Sequence, residues 1–154
     1  MNHQRRDALK AGGGLGIFGM LVAAGLVKPG SALARDQKVF DAKSIDEALA
    51  ALGAGKPDVS DAITIVAPDI AENGAVVPVG VNASLDNVES ISIMVEKNPY
   101  MVAANFHLSA GTVADVQTRI KMGQTSDVYA VVKADGKYYM AKKEIKVTLG
   151  GCGG

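Results

Sequence analysis

Apolar positions change their period near residue 61. Before it, Ile45, Ala48, Leu49 and Leu52 recur three and four residues apart, the stripe of a short amphipathic helix. Ser44 and Glu47 form a capping pair at its start, Gly53 stands where a helix commonly ends, and Pro57 follows. A helix is therefore expected over residues 44–53, lying as a lid on one end of the domain. After residue 61 the period is two. Ile63 and Ile65 alternate with Thr64 and Val66, and Val77, Val79 and Val81 follow, with Pro78 marking an edge or bulge. Ile91, Ile93 and Val95 come next, then Val102, Ala104, Phe106 and Leu108 on one face of a strand. Val116, Ile120 and Met122 punctuate a more polar strand. Val128, Ala130 and Val132 lead into Asp135-Gly136, a strong hairpin signal, and Tyr139 to Leu149 is the returning strand.

Turn formers separate these runs: Asn73-Gly74, Asp86-Asn87, Asn98-Pro99, Gly111 and Gly123. About seven short strands at this spacing predict an all-β, antiparallel sandwich. Strands do not alternate with helices, which argues against a doubly wound or thioredoxin-like sheet.

The first 34 residues follow a different pattern. Arg5-Arg6 precede an uncharged run from Ala11 to Val27, and Ala32-Leu33-Ala34 offers an A-x-A cleavage site. Six of the 17 residues in that run are Gly, so it is too short and too weakly apolar to serve as a membrane anchor. The stretch Arg5-Arg6-Asp7-Ala8-Leu9-Lys10 resembles the twin-arginine pattern R-R-x-F-L-K, with Ala8 in place of Phe. The expected organisation is a twin-arginine signal at 1–34, a sandwich at 35–149 and a C-terminal arm at 150–154, with the mature protein in the periplasm.

Charge then excludes one class of partner. The whole chain balances 16 basic against 16 acidic residues. Removing residues 1–34 takes away Arg5, Arg6, Lys10 and Lys28 against Asp7 alone, so the mature domain is mildly acidic. No basic stripe suited to nucleic acid is present.

Candidate chemistry is sparse. Gly14-Leu15-Gly16-Ile17-Phe18-Gly19 matches a dinucleotide fingerprint but lies inside the leader, without the required strand before it. Asn82-Ala83-Ser84 matches a glycosylation sequon and reads as strand-end polarity in an exported bacterial-type protein. The mature chain has one His and one Cys, and no ligand spacing suited to a metal, so no metal or cofactor is expected. His107 reads as a solvated or interface residue, and Met94, Met101, Met122 and Met140 as core fillers. No nucleophile elbow accompanies a Ser/His/Asp set.

What remains is the end of the chain, Gly150-Gly151-Cys152-Gly153-Gly154. Glycine takes almost any backbone angle, so these residues are expected to form a flexible arm. A single unpaired thiol in an exported protein calls for an explanation, because an oxidising compartment makes it a liability. Lys146 is its nearest cation in sequence, and the terminal carboxylate lies two residues away. A negative neighbour disfavours the thiolate. Cys152 is thus expected to be an attachment point, activated by a partner, and not a catalyst. From Leu149 to Cys152 the chain reaches at most about 10–11 Å, enough to present a small adduct at the bottom of a narrow pocket. The flanking glycines let such a channel close around the backbone.

The leader, the acidic β-rich domain and the terminal Gly150-Gly151-Cys152-Gly153-Gly154 together resemble the SoxY family, sulfur-carrier subunits of the bacterial Sox thiosulfate-oxidation system. The resemblance implies an immunoglobulin-like sandwich paired with a SoxZ-like subunit, with Cys152 as the site of attachment. It implies loading by a SoxXA-like haem enzyme, hydrolysis by a SoxB-like enzyme and oxidation by a sulfane-dehydrogenase-like enzyme, the carrier itself catalysing none of these steps. Two other readings of the tail stay open at this point. Gly153-Gly154 matches the end of ubiquitin-like sulfur carriers, although their chemistry needs cytoplasmic ATP. A structural or adhesion sandwich dimerising through Cys152 is the other.

Overall fold

The computed structural model describes residues 37–148; the leader and the terminal arm lie outside that range. The chain enters through α1 (Gln37–Phe40) and α2 (Ile45–Leu52). Ser44 caps α2: its Oγ accepts the Glu47 N–H at 3.1 Å, while the Glu47 carboxylate accepts the Lys43 N–H at 2.8 Å. Gly53 closes the helix at φ 73°, and the Ala54 N–H returns to the Leu49 carbonyl at 2.8 Å.

Among the described residues nine strands follow: β1 (Asp58–Val59), β2 (Ile63–Val66), β3 (Ile70–Ala71), β4 (Val77–Ala83), β5 (Val88–Val95), β6 (Val102–His107), β7 (Asp115–Ile120), β8 (Ser126–Ala134) and β9 (Lys137–Val147). The larger sheet runs β1-β9-β8-β5-β6, with β3 also on β9; the smaller runs β2-β4-β7. The two sheets enclose the main core. Val77, Val79 and Val81 of β4 meet Ile91, Ile93 and Val95 of β5, Val128 and Val132 of β8, and Ile145 of β9, all at most 1% exposed. Each such side chain contributes about 1.5–3 kcal/mol of burial. The fold is the expected all-β, immunoglobulin-like sandwich, and its longer pairings are antiparallel.

Three features differ from the sequence expectation. First, the helices are not a lid on one end. Val39, Ala48 and Leu49 pack on Met94, Val102 and Val131, covering the outer face of the larger sheet. The Tyr138 hydroxyl fixes them there by donating to the Leu52 carbonyl at 2.6 Å. Second, two of the nine strands are two-residue pieces, β1 and β3, that pair parallel to β9. Such short runs carry no detectable period of two. Third, the apolar face of β6 is broken. Ile93 pairs with Ala104 and Met94 with Val102, so Ala103 is an extra residue and Val102 turns to the helix side. A similar bulge at Glu89 lets both Val88 and Ile91 reach the main core.

Pro78 lies in β4 where only β7 runs alongside, because β2 reaches no further than the Gly80 rung. A residue without an N–H costs least there. The β8–β9 hairpin turns at Asp135 (φ 49°) and Gly136 (φ 71°), a two-residue turn with both angles positive, as Asp-Gly predicts.

Candidate functional site: the end of the last strand

The expected attachment residue Cys152 and the glycines Gly150, Gly151, Gly153 and Gly154 lie outside the described residues. The described structure ends at Thr148, one residue past β9. The site is therefore built from the platform on which the arm begins.

That platform is a strand end held on both sides. On β8, the last rung is Ser126 opposite Ile145, so β9 outruns its antiparallel partner by two residues. On the other side β3 takes over, with Ile70 opposite Lys146 and Ala71 opposite Val147. The Lys146 N–H donates to the Asp69 carbonyl at 2.9 Å and the Thr148 N–H to the Ala71 carbonyl at 3.1 Å. Between them, the Val147 N–H turns the other way and donates to the Thr125 hydroxyl at 3.0 Å. The segment before β3 is pinned as well: the Lys143 ammonium donates to the Ala67 carbonyl at 2.7 Å and lies 3.0 Å from Asp69 Oδ1. Asp69 is 88% exposed on its side chain, so this ion pair contributes little and the backbone bonds carry the attachment.

Gly74 completes the platform. A Cβ at this position would stand 2.4 Å from the Met122 carbonyl oxygen and 2.9 Å from Val147 Cγ1. The Met122 N–H donates to the Gly74 carbonyl at 2.7 Å. Asn98 holds the same loop by donating to the Lys121 carbonyl at 2.7 Å and accepting the Gly123 N–H at 3.3 Å. Asn73-Gly74 is a turn, as expected, with Asn73 Oδ1 accepting the Ala75 N–H at 2.9 Å. The glycine, however, is required by close approach and not by a positive φ. Sequence reasoning singled out neither Thr125 nor Ala71 nor Lys143, and a tertiary contact across roughly 20 to 80 residues leaves no local signal.

Three further titratable groups are candidates elsewhere on the sandwich. Lys142 lies 3.1 Å from Asp127, which keeps its ammonium protonated above the usual lysine range. Burial, followed by the nearby Glu96 carboxylate, raises the Tyr129 hydroxyl. His107 is exposed at the end of edge strand β6. Among the described residues no three His, Cys, Asp or Glu side chains come together, and no helix is long and apolar enough to cross a membrane.

Two cavities among the described residues lie at the opposite pole. One, of about 410 Å³, lies between Leu85, Val88, Leu108 and Val113; the other, of about 210 Å³, lies between Leu52, Ser90, Asn105, His107, Lys133 and Tyr138. From Lys137 at that pole to Val147, β9 covers roughly 33 Å. Cys152 is the fourth residue beyond Thr148, a reach of at most about 14 Å. Neither cavity is within range of that thiol.

A family model described as the sulfur oxidation protein SoxY matches residues 48–152, from the middle of α2 to the terminal cysteine itself. The chain belongs to the SoxY family. A solved SoxY, the sulfur carrier protein of Chlorobium limicola f thiosulfatophilum, is 39% identical to it, over 69% of this chain and 97% of that one, with a TM-score of 0.61. A superoxide reductase (neelaredoxin) from Ignicoccus hospitalis shares the fold alone, at 20% identity and a TM-score of 0.51 over 68% and 93% of the two chains. No curated protein matches. The SoxY match covers the strands of the sandwich, the platform and the chain as far as Cys152.

Proposed function

We propose that this SoxY-family protein is a non-catalytic carrier that holds thiosulfate-derived sulfur on Cys152 and presents it to successive enzymes of periplasmic sulfur oxidation. The observation that carries this reading is the family match running unbroken to residue 152, across the anchored end of β9 and into the tail. In the loading step, the Cys152 thiol and the outer sulfur of thiosulfate form a sulfur–sulfur bond. A proton is released, and an electron pair passes to a SoxXA-like haem enzyme. Water then attacks the terminal sulfonate in a SoxB-like enzyme, so that sulfate leaves and a persulfide remains on Cys152 for a sulfane-dehydrogenase-like enzyme. The carrier needs no cofactor or metal of its own. Its task is reach: Gly150, Gly151, Gly153 and Gly154 leave the backbone narrow enough for an enzyme's channel to close around it.

In this reading the carrier is exported after folding by the twin-arginine route, its leader is cleaved near Ala34, and a SoxZ-like subunit travels with it as a heterodimer. The test is reconstitution of the carrier with its loading and hydrolysing enzymes and thiosulfate. With the loading enzyme alone, intact mass should rise by a thiosulfate adduct that a thiol reductant removes, and adding the hydrolysing enzyme should release sulfate. Cys152→Ser should abolish both the adduct and thiosulfate oxidation, with the thermal midpoint unchanged. Full thiosulfate oxidation by the serine variant would sink the carrier reading.

A further inference from the structure

Strand ends usually fray, and β9 has particular cause to do so because it outruns β8 by two residues. Yet three successive amides there are all engaged: Lys146 with the Asp69 carbonyl, Val147 with the Thr125 hydroxyl and Thr148 with the Ala71 carbonyl. The first and third bonds are those of the short parallel strand β3. The middle one points to the side where β8 has ended, and a side chain stands in for the missing rung. Gly74 lies against the Val147 side chain, close enough that any Cβ would displace it.

We propose that Thr125 and Gly74 are positioning residues that fix the point from which the cysteine-bearing arm leaves the sandwich. This rests on the carrier reading of Cys152. Without the clamp, release of residues 146–148 would lengthen the tether from four residues to seven. Added length lowers the effective concentration of Cys152 at a docked enzyme's active site, and each freed residue must be ordered again at every visit. With the clamp, the arm stays short and its origin is fixed relative to whatever surface of the sandwich an enzyme grips.

Thr125→Val isolates the effect, since it keeps the shape of a half-buried side chain and removes the hydroxyl. In the full-length carrier, hydrogen exchange of the Val147 amide should speed up roughly five- to tenfold. Labelling of Cys152 by a small aromatic disulfide should keep its rate, because that reagent needs no docking. With the loading enzyme, KM for the carrier should rise severalfold while kcat changes little. Thr125→Ser, which retains the hydroxyl, should restore both exchange and KM. Unchanged exchange at Val147 would overturn the clamp. Faster exchange with an unchanged KM would overturn its role in positioning. The exchange measurement does not involve Cys152 chemistry, so failure of the carrier reading would show separately, as thiosulfate oxidation by Cys152→Ser.

Discussion

The two ends of β9 are each held by a glycine, for opposite physical reasons. At the hairpin pole Gly136 has open space around it and a φ of 71°, which favours residues lacking a Cβ. At the arm pole Gly74 is not in the left-handed region, and its place is set by the Met122 carbonyl and the Val147 side chain pressed against it. The first glycine solves a local problem, reversing the chain between adjacent strands. The second solves a tertiary one, fitting three distant segments around a strand end. At one pole turn chemistry sets the glycine, with Glu89 and Asn87 only bracing the turn from outside, while at the other long-range packing sets it, and here the long-range pole carries the proposed chemistry.

The largest way to break this comparison is Gly74→Ala. Its methyl would meet a backbone oxygen that cannot swing aside, so the Met122 loop or the end of β9 must move. Overpacking of this kind costs about 2 kcal/mol, a fall in thermal midpoint of roughly 5–10 °C for a domain of this size. Amide exchange should rise at Val147 and Thr148 and stay unchanged at the hairpin. A uniform loss of protection along β9 would show that the two poles are not independent.

Gly136→Ala is the matching change at the other pole. Nothing lies within 4 Å of the new methyl, so only the left-handed backbone opposes it, at about 1 kcal/mol. The thermal midpoint should fall by less than for Gly74→Ala, and transfer of sulfur to and from Cys152 should proceed at the normal rate. Impaired transfer at unchanged stability would tie the hairpin to enzyme docking and undo the division of labour.

The same division decides how much was legible in the sequence. The α2 cap at Ser44, the Asp135-Gly136 turn and the alternating faces of β4, β5 and β8 follow from local chemistry and could be read residue by residue. The tail Gly150-Gly151-Cys152-Gly153-Gly154 stands out in the sequence without any structure, and it lies outside the described residues. The bulges at Glu89 and Ala103 were hidden, since an extra residue inverts the pattern only after the pairing partner is known. The placement of α2 on the sheet face was hidden for a related reason. Met94, Val102, Val131 and Tyr138 sit on the second face of their strands, and their period reports that they alternate, not what covers them. The clamp on β9 was the least visible part, because Ala71, Gly74 and Thr125 are ordinary residues until they meet Val147 and Thr148.

The smallest effect, and the one that probes the hairpin pole most finely, concerns the bulge residue Glu89. Its carboxylate accepts from the Lys133 ammonium at 2.6 Å and from the Gly136 N–H at 3.0 Å, tying β5 to the turn. The Lys133 bond, then that of Gly136, holds the carboxyl below its ordinary value of 4.5, and the same contact raises Lys133 above the usual lysine range. A depressed carboxylate stabilises the folded state above its unfolded pKa, and that contribution is lost as pH falls through the folded pKa. Glu89→Gln should therefore lower the thermal midpoint slightly near neutrality, by little because the side chains are 32% and 46% exposed. The gap between variant and parent should close as pH drops below 4.5, and added salt should narrow it at pH 7. Amide exchange at Lys146–Thr148 should be identical in the two proteins at every pH. Acid-dependent loosening at the arm pole of the parent, absent from Glu89→Gln, would mean that the bulge communicates along β9 and that the two poles are coupled after all.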